Sequence, residues 1–319
     1  MSEAGAPPRK FALIGAFAAL YLIWGSTYLG IRFAIESIPP LLMAGTRFFS
    51  AGIIIYGITR SQGAPKPTFA EWRTSFIVGT CLLFFGNGSV TVAEQWVPTG
   101  LASLLVATVP IDIALLGWIS GASSRPRPLV FLGLAGGFVG IAILVGPALT
   151  AHPAGGSSHL GLGMLILLFG SLVWSIGSLY SRRAQAASSP FLSSAQTMLC
   201  GGGLMILVGL ARGEARDFEL HRVTPLSLGA FVYLVLVGAI VGYTAYIWLL
   251  RHCDPAKVAT YAYVNPVVAV LLGAFFGGET VTLRTAVAAA IIIGSVALVI
   301  TAEPTKEKIP DQYCPQLRS

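Results

Sequence analysis

Residues 100–118 read GLASLLVATVPIDIALLGW, and from Ala256 the chain reads AKVATYAYVNPVVAVLLGAFF. Sliding the first onto the second by 156 positions lays Pro110 on Pro266 and Gly117 on Gly273. A looser match runs in the same order: WGSTYLGIRFAI at Trp24 returns 150 positions later as WSIGSLYSRRA at Trp174, with Arg32 over Arg182. Two matches in one order at nearly one offset read as an internal duplication. The repeated unit is apolar throughout, which decides the kind of fold it can build.

The chain has 319 residues, 55% of them hydrophobic and 10% charged, with a mean hydropathy of +0.78. A membrane-spanning helix takes about 20 apolar residues. Apolar runs bounded by charge, Pro and Gly fall near 11–31, 39–59, 73–93, 99–120, 128–147, 160–181, 191–211, 226–250, 257–277 and 283–301. Lipid cannot satisfy an open sheet edge, and these runs lack the alternation of barrel strands, so they are predicted to be ten helices. Little sequence is left for a soluble domain. The first run follows Arg9 and Lys10 as a leader would, but it is longer than a leader's apolar core and is read as a retained span. The predicted organisation is a cytoplasmic N-terminus (1–10), a first five-helix unit (11–147), an external linker (148–159), a second five-helix unit (160–301) and a cytoplasmic tail (302–319).

Five helices per repeat is an odd number, so the second unit enters the membrane inverted relative to the first. Lys and Arg set the absolute orientation. With the N-terminus inside, fourteen of them fall in cytoplasmic connections and five outside, with Arg47 within a span. That bias predicts both termini in the cytoplasm and accounts for the net charge of +7 without nucleic acid as a partner. Four Cys without CxxC spacing and four His without HExxH give no metal site, and no phosphate-binding loop is present, so no cofactor is expected.

The stretches WGSTYLGIRFAIES with Pro39 and Pro40, MAGTRFFSAG around Arg47, GNGSVTVAEQWVPTGLASLLVATVP and TYAYVNPVVAVLLGAFFGGETVT resemble the drug/metabolite transporter superfamily, EamA type. The resemblance covers both halves. It implies a duplicated ten-helix fold in a bacterial inner membrane, most like the branch that exports aromatic and other amino acids.

Polar groups inside the spans are the candidate substrate-binding residues. Arg47 sits about 12 Å into the second span at 1.5 Å per residue, and a buried guanidinium there suits a substrate carboxylate or a structural pair. Asp112 is the acid deepest in a span; it could pair with Arg47, contact a substrate amine or carry coupling. Asn87 and Asn265 need interior partners. Trp24, Trp174, Tyr243, Tyr261 and Tyr263 could line a pocket for an apolar or aromatic side chain, although Tyr263 points away from Tyr261. Pro110 and Pro266 each free a carbonyl four residues upstream, Val106 and Ala262, and are candidate hinges. Glu94, Gln95 and Glu279 are expected at headgroup level or in loops.

Two inverted halves around a central path suit alternating access. The sequence therefore predicts a secondary exporter of small amphipathic metabolites, amino acids foremost, with the lipid bilayer and a small-molecule substrate as its partners and no enzymatic activity. A multidrug or cationic-compound exporter is the alternative within transport. A channel or scramblase could use the same bundle, whereas a lipid-modifying enzyme would need an acidic metal-diphosphate cluster that the sequence lacks.

Overall fold

The computed structural model describes residues 10–121, 128–150, 158–184, 187, 189–216, 218–253, 258, 261–278 and 280–302. Among them every regular element is helical. Ten transmembrane helices run α1 (Lys10–Ile35), α2 (Pro40–Ser61), α3 (Phe69–Val78, Gly79–Asn87 and Gly88–Ala93 in series), α4 (Thr99–Val106 and Val109–Ile119) and α5 (Pro128–Thr150). The second half follows as α6 (Ser158–Arg183), α7 (Pro190–Ala211), α8 (Pro225–Tyr233, Leu234–Tyr243 and Thr244–His252), α9 (Tyr261–Phe276) and α10 (Leu283–Ala302). Seven of the ten are long and apolar enough to span by length and composition. The described parts of α5, α9 and α10 contribute shorter apolar stretches, Pro128–Gly140, Val264–Phe276 and Leu283–Ser295.

The duplication reaches down to caps and irregularities. Pro40 and Pro190 open α2 and α7, where a proline's missing N–H costs nothing. Thr68 caps α3 by accepting from the Glu71 amide, and Thr224, 156 positions on, caps α8 by accepting from the Ser227 amide. Both third helices then widen into π-helical turns, Gly79–Asn87 and Leu234–Tyr243, whose last residues are again 156 apart. Such turns concentrate at functional sites because they re-aim the side chains that follow.

Packing has the same exchange symmetry. Helix α2 lies along α7 and α5 along α10, while α1 against α8 and α9 is mirrored by α6 against α3 and α4. On the α2–α7 seam, Gly52 and its repeat partner Gly202 bring the two backbones together. A Cβ on Gly202 would stand 2.7 Å from the Phe49 nitrogen and 2.9 Å from the Gly45 oxygen. Without a hydrophobic force between helices in lipid, such close contact of small residues is what associates them.

The two prolines act differently from one another. Pro266 sits inside α9 as predicted. Helix α4 is instead interrupted at Ala107–Thr108, and Pro110 becomes the second residue of the segment that restarts at Val109. The chain avoids the clash with Val106 by ending one helix and opening another, a position that proline favours.

Candidate functional site

Between the two halves lies a cavity of about 70 Å3, room for roughly five to seven water-sized groups. The first half contributes Trp24, Tyr28, Arg47, Phe48 and Asn87, and the second contributes Ser171, Trp174, Tyr243, Tyr261 and Asn265. Seven of the nine residues singled out for binding thus face one space. Tyr263 lies on α9, but its side chain is outside the described residues. Asp112 is half-buried on α4 and is not part of the wall. It does not pair with Arg47.

The Arg47 side chain is 2% exposed. Its Nη2 donates to Asn87 Oδ1 at 2.6 Å, and its Cζ sits 4.2 Å from the centre of the Phe48 ring. That ring contact offsets part of the cost of burying the charge. Nε and Nη1 have no partner among the described residues. A buried donor left so costs about 1–3 kcal/mol, more when charged. The π-helical turn ends at Asn87, the residue whose amide oxygen meets the guanidinium.

Aromatic rings make the floor. Trp24 meets Trp174 edge-to-face at 5.8 Å, and Tyr246 stands 4.9 Å from Trp24 and 5.8 Å from Trp174. Tyr261 closes the cluster 5.2 Å from Trp24 and 6.1 Å from Tyr246. Ser178 Oγ lies 3.3 Å from the Tyr246 hydroxyl. The symmetry of the fold sets the two tryptophans. A Cβ on Gly86 would come within 2.5 Å of the Trp174 ring, and one on its repeat partner Gly242 within 2.9 Å of Trp24 Nε1. Each indole therefore rests on a glycine of the other half's π-helical turn. Among the described residues Trp174 Nε1 and the Tyr243 hydroxyl have no hydrogen-bond partner of normal geometry.

Asn265 is 4% exposed. In the amide orientation that satisfies its neighbours, Nδ2 donates to the carbonyls of Tyr21 at 3.0 Å and Tyr261 at 3.3 Å, tying α9 to α1. Its interior position thus carries helix packing as well as a place on the wall.

Two features escaped the sequence reading. Tyr246 packs behind the floor against Trp24, Trp174 and Tyr261, and its spacing of three from Tyr243 in GYTAY already places both near one helix face. Glu94, expected at headgroup level, is 6% exposed, and its charge acts on both Arg47 and Tyr28. It lies seven residues beyond Asn87, hence on the same face of α3, which composition alone could not reveal. Glu279 is outside the described residues.

A family model described as EamA-like transporter family matches residues 11–146 and 161–301. The inner membrane transporter YedA of Escherichia coli (strain K12) is 39% identical over 292 residues, 90% of this chain and 90% of its own. The transporter YvbV of Bacillus subtilis (strain 168) is 23% identical over 299 residues, 92% of this chain and 93% of its own. A solved crystal structure shares the fold with a TM-score of 0.64 at 20% identity, over 92% of this chain and 99% of that one.

Proposed function

Because the chain belongs to the EamA-like transporter family, we propose that it is a secondary carrier exporting small amphipathic metabolites across a bacterial inner membrane. Amino acids with apolar or aromatic side chains are its foremost substrates. It has no enzymatic role, and both termini face the cytoplasm. The observation that carries this reading is the buried Arg47 with two partnerless N–H groups above an aromatic floor, at the seam between inverted halves. A carboxylate completes the guanidinium, with Asn87 holding it in place, while the side chain lies against Trp24, Trp174, Tyr243 and Tyr261. Asn265 lines the same path, and Tyr263 follows on the same helix.

Ile31 and Trp24, seven residues apart on α1, bound a path of about 10 Å along the helix axis. It lies on the side of the α1–α2 connection, which the charge distribution assigns to the exterior. The aromatic floor then seals the cytoplasmic side, and exchange of the two packings would open it. In this reading the units 11–147 and 160–301 rock against each other, the break before Pro110 and the helix around Pro266 serve as hinges, and Asp112 meets the path only in the opposite state. A cationic-drug exporter is a poorer fit, since the cavity presents a guanidinium.

Resistance of overproducing cells to a panel of toxic amino-acid analogues tests the proposal. Resistance to apolar or aromatic analogues should appear with the wild type and vanish with Arg47→Ala. Indifference to every analogue would overturn it.

A further inference from the structure

Among the described residues two charged side chains are buried, Arg47 at 2% exposure and Glu94 at 6%, one of each sign. They belong to one neighbourhood. Asn87, which holds Arg47, and Glu94 are seven residues apart on α3, two helical turns, so Glu94 stands about 10 Å along the axis on nearly the same face. Its charge is felt by Arg47 on α2 and by Tyr28 on α1, both of which line the cavity. Glu214, in the α7–α8 connection, accepts from the Leu42 amide at 3.0 Å.

A net charge in a low-dielectric site is costly, and an opposite charge nearby is what relieves it. The cavity wall with Arg47 alone would carry +1 and favour a monoanion. With Glu94 behind the wall the two buried charges sum to zero, and a solute bearing both charges enters without adding an excess of either sign. Resting on the carrier reading above, we infer that Glu94 is a specificity-determining residue that makes the site select zwitterions over singly charged solutes of the same shape. It acts through the field at Arg47 and need not touch the solute.

Three probes of one carbon skeleton separate the effects: leucine, 4-methylpentanoate, which lacks the amine, and 3-methylbutylamine, which lacks the carboxylate. Binding is read as ligand-induced thermal stabilisation of the purified full-length protein in detergent. Wild type should bind leucine at least tenfold more tightly than either analogue. Glu94→Gln should raise the affinity for 4-methylpentanoate relative to leucine at least tenfold, whereas Glu94→Asp should keep the wild-type order. Equal affinity of wild type for leucine and 4-methylpentanoate would overturn the inference while leaving the carrier reading in place, and so would a Glu94→Gln protein that binds with an unchanged ratio. Should Glu94→Gln fail to fold, Glu94→Met, which keeps the length without the charge, carries the same test: a raised relative affinity for 4-methylpentanoate supports the inference and an unchanged ratio overturns it. No stabilisation by any of the twenty amino acids or their analogues would instead strike at the carrier reading itself.

Discussion

Replacing Arg47 by Gln removes the cation from the cavity and leaves a shorter, uncharged polar side chain in its place. The guanidinium offers two unoccupied N–H groups, and hydrogen bonds to a charged group contribute about 1.5–3 kcal/mol each. Taking the lower end for both gives about 3 kcal/mol, or roughly a hundredfold in Kd. At a ligand concentration near 100 Kd the wild type should gain about 2.7 kcal/mol of stability, while the variant, now near its own Kd, gains only about 0.4 kcal/mol. The substitution also strips Glu94 of its opposite charge and lowers the baseline. The quantity to compare is therefore the ligand-induced gain, measured by thermal unfolding in detergent on protein that elutes as a single species. A variant that unfolds cooperatively and keeps the full wild-type gain would refute the assignment of Arg47 to the substrate.

Gly202→Ala should destabilise by about 1–3 kcal/mol, because its methyl meets backbone atoms of α2 that cannot swing aside. Gly57→Ala, with nothing within 4 Å, should be neutral or gain up to about 1 kcal/mol, so equal melting temperatures for the two would contradict the α2–α7 seam. Gly86→Ala and Gly242→Ala displace Trp174 and Trp24 respectively; each should cut transport at least tenfold, with Gly229→Ala, which meets no neighbour, as the unaffected control. Asp112→Asn should leave ligand-induced stabilisation at the wild-type level, since Asp112 is off the cavity wall; a loss matching that of Arg47→Gln would place its carboxylate in the site.

The fold was legible because the bilayer permits so few answers: apolar length dictates helices, and an odd repeat dictates inversion. The matched prolines and tryptophans gave the register of the repeat. Polar residues within spans were legible as cavity groups for the same reason, since Arg47, Asn87 and Asn265 each need a partner that lipid cannot supply. Other features were not legible. The π-helical turns at Gly79–Asn87 and Leu234–Tyr243 leave no hydropathy signal, yet they aim Asn87 and Tyr243 inward. Pro110 proved to start a helix segment because the break lies at Ala107–Thr108, a matter of backbone geometry rather than residue type. Glu94 reads as a span-end acid in sequence, and only the packing of α1 and α2 over it makes it a buried charge.

Counterflow in proteoliposomes bears most directly on a carrier that turns one site alternately to each face of the membrane. Vesicles holding the full-length protein and loaded with unlabelled leucine should take up labelled leucine faster than empty vesicles, with saturation, and Arg47→Gln should abolish the stimulation. Uptake that neither saturates nor responds to leucine inside would contradict the account and indicate a pore.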